Sequence, residues 1–306
     1  MQPIPFAGWS QCYRLANEVI ELIVVADIGP RIIHASAPGR ANLFALFPES
    51  AGLSGGEVWR NYGGHRLWHA PEQRPRTYQP DNDPVQVSAI AGGVRLTAGV
   101  EGVTGIQKEM EITLSGQGAT IGHRLWNRGV WPVTLAPWAL SVMAAGGVGI
   151  VPLPPRGSHQ DQLLPTAALA LWAYTDLADA RWVWGRQHIL LRQEAGAQGP
   201  QKIGVRTFEG WAAYARGEDL FLKTFSPQPD AAYPDLGVTT EMFTNHRMLE
   251  LETYGPVQTL APGACVEHVE HWQVWAGIPQ PRSEAEVMER VWPVVRNQGL
   301  SSHPTP

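Results

Sequence analysis

Two glutamates separated by a single residue lie in the stretch MLELETYGPV, residues 248–257, which otherwise has the pattern of a β-strand. Because side chains alternate across a strand, Glu250 and Glu252 share one face and two leucines share the other. Glu241 precedes the pair closely. Such a face either meets bulk water or lines a polar cavity, where a carboxylate with a shifted pKa acts as a general base. The pattern leaves both interpretations open.

The segment NYGGHRLWHAPE, residues 61–72, contains four candidate ligand-binding side chains between a Gly-Gly pair and a proline. These are His65, Arg66, Trp68 and His69. Glycines let the backbone approach a ligand closely, arginine hydrogen-bonds two oxygens at once, and tryptophan offers a flat apolar wall. The segment predicts a loop in a sugar-binding site. The alternative is a structural loop around a buried tryptophan.

The spacing of His65 and His69, four residues apart, also fits a metal site on a helix. Gly63, Gly64 and Pro71 argue against a helix at this place. The two cysteines are too far apart in sequence to form a zinc site by themselves. We therefore predict no metal site and no cofactor.

Two lysines and a tryptophan extend the set of candidate binding residues. Lys223 lies between two phenylalanines on one face of the strand pattern DLFLKTF, and Lys202 lies in QKIGV. Each is either a surface lysine whose stem covers apolar atoms or an ammonium held in a partly apolar pocket. Trp138, in VTLAPWALSVM, is either a core residue or a platform under the apolar face of a sugar ring.

The composition excludes some classes of partner. The 306 residues carry a net charge of -5, with 44% hydrophobic and 17% charged residues. This balance is typical of a globular protein and opposes binding to a nucleic-acid backbone, which requires a basic surface. The first residues lack the basic and apolar regions of a signal peptide, and no apolar run is long enough to span a membrane. We expect a cytoplasmic monomer or homodimer with a small-molecule sugar or terminal saccharide as ligand.

Strands must position these residues, because short alternating segments recur between turn signals along most of the chain. The segment IQKEMEITL, residues 106–114, alternates between apolar and polar side chains, as in a strand with one face in the core. Residues 133–143 are apolar on both faces, as in a strand covered on both sides. Pro137 within that segment requires a bulge or an irregular pairing.

The character of the chain changes near its C-terminus. Ser283 and Glu286 have the spacing of a helix capping box, and a stripe of valines at helical spacing follows. We predict an all-β sandwich domain over residues 1–277. Over residues 278–306 we predict one short helix and a flexible tail.

The order of several segments resembles that of the galactose mutarotase-like superfamily, in particular a bacterial branch of it. The resemblance covers most of the chain up to about residue 275, and its individual motifs are loose. The segments that carry it are ADIGPRIIHASAPGRANLFAL (26–46), GGHRLWHAPE (63–72), HRLWNRGVWPVTLAPWALSVM (123–143), KIGV (202–205) and TTEMFTNHRMLELETYGPVQTLAPG (239–263).

The resemblance implies a β-supersandwich whose concave face binds carbohydrate. It also implies a glutamate base late in the chain and a histidine acid in the middle, which together interconvert sugar anomers. The strand LET at 251–253 matches the one that carries this base, which assigns that role to Glu252. Arg66 matches the sugar-binding arginine of the superfamily.

The sequence departs from the superfamily pattern at the acid. No histidine occurs between His123 and His159, and Trp138 occupies the corresponding stretch. Our hypothesis takes His65 as a substitute acid beside Glu252. The substrate-binding residues of this hypothesis are Arg66, Trp68, His69, Trp138, Lys202, Lys223, Glu241 and Glu250.

The leading functional hypothesis is an aldose 1-epimerase-type isomerase that acts on a free or terminal sugar. The alternative is a non-catalytic carbohydrate-binding or sensing protein, because the expected acid histidine is missing. A weaker third hypothesis, a lyase or hydrolase of an acidic polysaccharide, rests on the cationic candidates alone.

Overall fold

The structure, a computed structural model, describes residues 2–298 and consists mainly of antiparallel β-strands. The prediction of an all-β fold is confirmed. The strands in chain order are β1 (Ile4–Phe6), β2 (Trp9–Ala16), β3 (Glu21–Val25), β4 (Arg31–Ser36), β5 (Gly64–Ala70), β6 (Gln86–Ile90), β7 (Gly93–Val100), β8 (Ile106–Ser115), β9 (Gly118–Asn127), β10 (Val133–Met143), β11 (Val148–Pro152), β12 (Ala168–Leu171), β13 (Trp182–Trp184), β14 (His188–Arg192), β15 (Gln201–Arg206), β16 (Trp211–Arg216), β17 (Asp219–Phe225), β18 (Thr240–Thr244), β19 (Leu249–Tyr254), β20 (Gln258–Leu260) and β21 (Cys265–Ala276).

The strands form two large sheets. The first has the order β1-β2-β3-β4-β5-β10-β19-β18-β15-β12, with β20 paired to the end of β10. The second has the order β13-β14-β11-β16-β17-β21-β9-β8-β7-β6. Strands that are distant in sequence, such as β5, β10 and β19, are therefore neighbours at the centre of the first sheet.

The main apolar core lies between the two sheets. Leu67, Met143 and Leu251 of the first sheet share one buried cluster with Met110 and Phe221 of the second. The side chains that alternate with them on the first sheet point to its opposite face, which we call the outer face. This alternation decides which residues of each strand belong to the core and which belong to the outer face.

The segment that we predicted as a ligand-binding loop is in fact the strand β5, which is buried along its whole length. Gly63 directly precedes the strand and Gly64 begins it, with φ of +77° and +66°. A Cβ on Gly63 would lie 2.0 Å from the carbonyl oxygen of Ala45, so glycine fits both the conformation and the close packing. The glycines therefore start a central strand rather than form a loop, and this prediction was wrong.

The irregular pairing expected at Pro137 is present. On one side, β10 pairs with β5 in continuous register through this residue. On the other side its partner changes from β20 to β19, and residues 136 and 137 are outside both ladders, although the Pro137 carbonyl oxygen accepts a hydrogen bond of 2.9 Å from the Gly255 N–H. Proline has no N–H to donate, so an interruption there leaves no ladder hydrogen bond unmade.

One helix follows the sheets, as predicted. It comprises α2 (Glu284–Glu286), a π-helical segment (Val287–Val291) and α3 (Trp292–Arg296), while α1 (Pro234–Gly237) is a single distorted turn before β18. The Ser283 side chain accepts a hydrogen bond from the Glu286 N–H. The valine stripe packs on the face of the second sheet that points away from the first sheet.

The C-terminal end of the predicted tail, residues 299–306, lies outside the described residues. In the part of the chain that the structure describes, no helix has the length and apolarity that a membrane crossing requires.

Candidate functional site

One row of side chains crosses the centre of the outer face of the first sheet. Leu140 of β10 lies opposite Arg66 of β5 on one side and opposite Glu252 of β19 on the other. Glu252 in turn lies opposite Glu241 of β18. Because neighbouring strands are about 4.8 Å apart, the backbones at Arg66 and Glu252 are separated by about 10 Å. The register thus places Arg66, which we call the cationic wall, on one side of the apolar Leu140. On the other side it places Glu252 and Glu241, which we call the acidic wall.

The acidic wall is a pair of carboxylates bridged by one ammonium. Lys202 of β15 has its Nζ 2.7 Å from Glu241 Oε2 and 3.3 Å from Glu252 Oε2. The indole N–H of Trp138 donates a hydrogen bond of 2.8 Å to Glu252 Oε2. Both glutamates are fully buried, and Lys202 is 5% exposed. Two buried acids therefore share a single cation.

Burial has the largest effect on the protonation of this trio. It raises the pKa of Glu241 well above its ordinary value, against the attraction of Lys202 and with the help of the Glu252 charge. Burial also raises the pKa of Glu252, although Lys202 lowers it. Burial alone would lower the pKa of Lys202, but Glu241 and Glu252 together raise it well above its ordinary value. We therefore expect a charged Lys202 and a carboxyl pair that retains one proton.

An aromatic row runs beside the row of charges. Trp138 lies opposite both Trp68 and Tyr254 on the neighbouring strands. The rings of Trp68 and Trp138 meet edge to face at 5.3 Å, and Trp138 stacks on Tyr254 at 5.4 Å. Trp59 and Tyr78 extend the row, because both pack against Trp68. Trp68, Trp138 and Tyr254 are buried, whereas Trp59 and Tyr78 are only partly buried, so these two offer an apolar surface on which a sugar ring can stack.

Trp172 covers the acidic wall from the loop that follows β12. The Lys202 Nζ lies 4.6 Å from the centre of the Trp172 ring and 5.0 Å from that of Trp138. The Thr175 hydroxyl fastens the same loop to β15 through a hydrogen bond of 2.6 Å to the Lys202 carbonyl oxygen. The ammonium is therefore held between two indole rings.

The cationic wall is an arginine that is only partly paired. Arg66 Nη2 donates a hydrogen bond of 2.8 Å to Glu250 Oε1, and the guanidinium lies 4.4 Å from the centre of the Trp68 ring. The remaining Nε and Nη1 of Arg66 are shielded from solvent and have no hydrogen-bond partner. A buried donor without an acceptor is rare in native proteins and needs an explanation.

Unpaired polar atoms occur on both walls. The donors are Arg66 Nε and Nη1 and the indole nitrogens of Trp59 and Trp68, and the acceptors are Oε1 of Glu252 and Oε1 of Glu241. Glu241 Oε2 faces the Lys202 ammonium at 2.7 Å, so Oε1 is the oxygen of each glutamate that has no partner. A ligand that carries several hydroxyl groups would satisfy both kinds of atom, since a hydroxyl both donates and accepts.

The structure brings together seven of the ten residues predicted for the site. These are Arg66, Trp68, Trp138, Lys202, Glu241, Glu250 and Glu252. His65 and His69 lie on the side of the first sheet that faces the second sheet, and Lys223 belongs to β17 of the second sheet and lies between the sheets. Because His65 and His69 alternate with Arg66 and Trp68 along β5, their side chains must point to the opposite face.

Each of the three displaced residues has its own partners between the sheets. His65 Nε2 lies 2.7 Å from His123 Nε2, and His69 Nε2 lies 3.2 Å from a carboxylate oxygen of Glu101. Lys223 Nζ lies 2.9 Å from Glu270 Oε1. The hypothesis that His65 acts as the acid beside Glu252 is thus inconsistent with the geometry, because the sheet separates the two side chains.

Sequence reasoning missed several residues of the site. Tyr254 could have been found, because it lies two positions after Glu252 on the same strand face. Leu140 could have been found in the same way from Trp138. Trp59 and Trp172 carry no such signal, since they lie on connecting segments that only the tertiary structure places over the strands.

Scans against protein-family models and curated proteins find no match to the chain. Solved structures do match. A galactose mutarotase-like protein from Lactobacillus casei has a TM-score of 0.55 at 10% identity and covers 86% of this chain and 100% of its own. A putative aldose 1-epimerase from Escherichia coli K12 has a TM-score of 0.51 at 14% identity, with 87% and 99% coverage.

A third match is to part of a longer protein. A TPR-domain containing protein from Parabacteroides distasonis has a TM-score of 0.57 at 13% identity. It covers 89% of this chain, which spans only 48% of that longer protein. At such low identities the likeness concerns the fold alone. The chain has the galactose mutarotase-like β-sandwich fold.

Proposed function

We propose that the protein is an aldose 1-epimerase-type isomerase that interconverts the anomers of a sugar, with Glu252 as general base and Glu241 as general acid. The observation that carries the proposal is the buried carboxyl pair bridged by Lys202 beside a wall of aromatic rings. Glu241 takes the place that the sequence hypothesis gave to His65.

The reaction needs an acid and a base close together, because the two oxygens involved are bonded to the same sugar carbon, C1. The ionised Glu252 takes the proton from the C1 hydroxyl while the protonated Glu241 gives its proton to the ring oxygen. The C1–O5 bond then breaks and leaves an open-chain aldehyde. Rotation about C1–C2 and the reverse proton transfers close the ring as the other anomer, and both carboxyl groups return to their starting states.

Directly opposed residues on antiparallel strands suit this pair of transfers. Their Cβ atoms lie about 5 Å apart, so both carboxyl groups reach neighbouring atoms of one ligand. Trp138 and Lys202 donate to Glu252 and favour its ionised form. Glu241 lacks the indole donor that Glu252 has, which favours Glu241 as the partner that keeps the proton.

The charges of the site favour an uncharged sugar. Because the pair of Glu241 and Glu252 retains one proton, the remaining two carboxylates of the outer face, Glu250 included, balance the two cations, Arg66 and Lys202. A phosphate or carboxylate on the ligand would add a further negative charge in a space shielded from water. We therefore propose a neutral aldose or the neutral reducing end of a saccharide as substrate.

A non-catalytic sugar-binding protein is the second candidate. It is favoured by the position of the histidines of β5, which lie behind the sheet rather than beside Glu252. Such a protein would use the aromatic row and the partly paired Arg66 for binding and would leave the anomer ratio unchanged.

The deciding experiment is NMR exchange spectroscopy of anomeric protons over a panel of neutral aldoses, with matched variants. We expect wild-type protein to accelerate exchange and Glu252→Gln and Glu241→Gln each to lower the rate by about 100-fold or more. Glu250→Gln is the matched control on the same strand face, and we expect it to weaken sugar affinity with a much smaller loss of turnover. Line broadening of sugar signals without exchange would contradict the isomerase and support the binding protein.

A further inference from the structure

A second polar cluster lies directly beneath the candidate site, between the two sheets. It includes three side chains of the first sheet and five of the second, all of them buried. We call this set the inter-sheet polar cluster, and its members are His65, Ser141, Thr253, His123, Lys223, His268, Glu270 and Trp272. Polar groups in an otherwise apolar core are costly unless they are hydrogen-bonded, so their presence needs a reason.

The carboxylate of Glu270 is the centre of the cluster. Lys223 Nζ lies 2.9 Å from its Oε1, and the indole N–H of Trp272 donates a hydrogen bond of 2.8 Å to its Oε2. The hydroxyl of Thr253 also donates to Oε1. Lys223 in addition donates a hydrogen bond of 3.1 Å to the carbonyl oxygen of Leu251. The cluster therefore holds β19 immediately before and immediately after Glu252.

The histidines of the cluster form an ordered chain of hydrogen bonds. His123 Nδ1 donates to the carbonyl oxygen of His268 at 2.9 Å, so its Nε2 is the acceptor in a neutral ring. His65 Nε2 then donates to His123 Nε2 at 2.7 Å, and His65 Nδ1 accepts from the Ser141 hydroxyl at 2.9 Å. Burial lowers the pKa of both His65 and His123, which keeps the rings neutral.

Three of these residues also have the composition of a metal site. His65, His123 and Glu270 offer ligand atoms that lie within 4.8 Å of one another. The ammonium of Lys223 already neutralises Glu270, and a divalent ion would add two positive charges in a fully buried space. The hydrogen bonds described above use every ring nitrogen of the two histidines, so the cluster is best explained without an ion.

The position of the cluster relates it to the site on the other face. Three central strands of the first sheet carry both site residues and cluster residues. On each of these strands, the cluster residue is the immediate neighbour of a site residue. His65 is adjacent to Arg66 on β5, Ser141 is adjacent to Leu140 on β10, and Thr253 is adjacent to Glu252 on β19. The other members come from β9, β17 and β21 of the second sheet.

We propose that the inter-sheet polar cluster positions Glu252, and that Thr253, Lys223 and Glu270 act as positioning residues for the base. The inference rests on the proposed function, because the group that it positions is the base of that reaction. A purely apolar contact is non-directional and allows a strand to slide. Directed hydrogen bonds to the residues before and after Glu252 fix the distance of β19 from the second sheet. They thereby fix the distances from the Glu252 carboxylate to Trp138 and Lys202.

The protonation of Glu252 reports on this positioning, since several groups face it from different elements. They are Lys202 of β15, Glu241 of β18, and Trp138 of β10, together with Glu250 of its own strand. A displacement of β19 that lengthens the contact with Lys202 removes an attraction that lowers the pKa of Glu252. The pKa of Glu252 should then rise.

The test compares Thr253→Val, which replaces the hydroxyl by a methyl group of similar size, with Thr253→Ser, which keeps it. We expect Thr253→Val to lower kcat for anomer exchange by about 10- to 100-fold with little change in KM, because small displacements of a catalytic group are costly. The Glu252 carboxyl, followed by carbon-13 NMR during a pH titration, should shift its midpoint upward by about 0.5 units. Thr253→Ser should restore both values, while circular dichroism confirms that each variant is folded.

A folded Thr253→Val with the kcat and the Glu252 titration midpoint of wild type would overturn the proposal. If wild-type protein catalyses no anomer exchange, the proposed function fails, and the carboxyl titration alone then decides the positioning. If Thr253→Val does not fold, Trp272→Phe replaces it with the same two readouts. That variant removes the indole N–H bond to Glu270 and keeps an aromatic ring in the core.

Discussion

On the two sides of the central strands of the first sheet lie similar residues whose hydrogen bonds are satisfied to opposite degrees. On the outer face, Lys202 serves two carboxylates, and Arg66 has two nitrogens without a partner. Between the sheets, Lys223 serves one carboxylate, Glu270, whose two oxygens together accept from three donors. The same kinds of side chain thus form an incomplete network on one face and a complete network on the other.

The difference distinguishes a binding site from a structural element. A complete buried network stabilises one arrangement of strands and has no capacity left for a ligand. An incomplete one costs free energy in the unbound protein and recovers it when a ligand supplies the missing partners. The unpaired atoms of Arg66 and Glu252, rather than the count of charged residues, therefore mark the outer face as the candidate site.

The largest expected effect is a difference in stability between variants of Lys223, between the sheets, and Lys202, on the outer face. We expect Lys223→Met to lower the free energy of unfolding by about 3–5 kcal/mol, because it leaves the buried Glu270 charge without its cation. Lys202→Met should cost clearly less, since Glu241 and Glu252 have raised pKa values and take up protons instead. Urea unfolding of both variants at neutral pH measures the difference, and equal losses would contradict the division between the faces.

The next effect is a loss of stability in acid that arises between the sheets. Burial lowers the pKa of His268 from 6.5 to about 3, so the folded state resists a proton that the unfolded chain accepts. Stability from this group is complete above pH 6.5 and is lost progressively as the pH falls toward 3. By linkage, His268 alone should cost about 2 kcal/mol between pH 7 and pH 5. The free energy of unfolding of wild type and His268→Gln, measured across this pH range, tests the prediction. The same pH dependence in both proteins would show that His268 is not the source of the loss.

A smaller effect should appear in turnover without a large change in stability. Trp138→Phe keeps an aromatic ring in the row but removes the indole donor to Glu252 Oε2. We expect the rate of anomer exchange to fall about tenfold, because the ionised form of the base loses a hydrogen bond. Trp68→Phe is the matched control, since the Trp68 indole nitrogen has no partner in the unbound protein. A larger loss in the control than in Trp138→Phe would contradict the role of this bond.

The smallest effect should be on sugar affinity at the cationic wall. Arg66→Lys keeps the charge next to Glu250 but removes the planar fork and its free N–H groups. We expect sugar binding to weaken by about 1 kcal/mol, with stability nearly unchanged. Isothermal titration calorimetry with the sugar that exchanges fastest measures this change, and unaltered affinity would remove Arg66 from the binding site.

Much of the candidate site was predictable from alternation along single strands. The sequence alone places Glu250 with Glu252 on one face, as it does Arg66 with Trp68. The same reasoning, applied to residues 61–72, would have separated His65 from Arg66. The glycines and the proline of this segment indicate a loop instead, whereas the tertiary structure uses them to start and end a central strand.

The sequence by itself determined the all-β class, the C-terminal helix and the sets of residues that share a strand face, because these follow from local periodicity and capping. Only the tertiary structure decided which face of each strand turns toward the opposite sheet. That choice depends on pairing between strands far apart in the chain, such as β5, β10 and β19. It assigned Lys202 to the carboxyl pair on the outer face and Lys223 to Glu270 in the core, although both lysines lie in similar strand patterns.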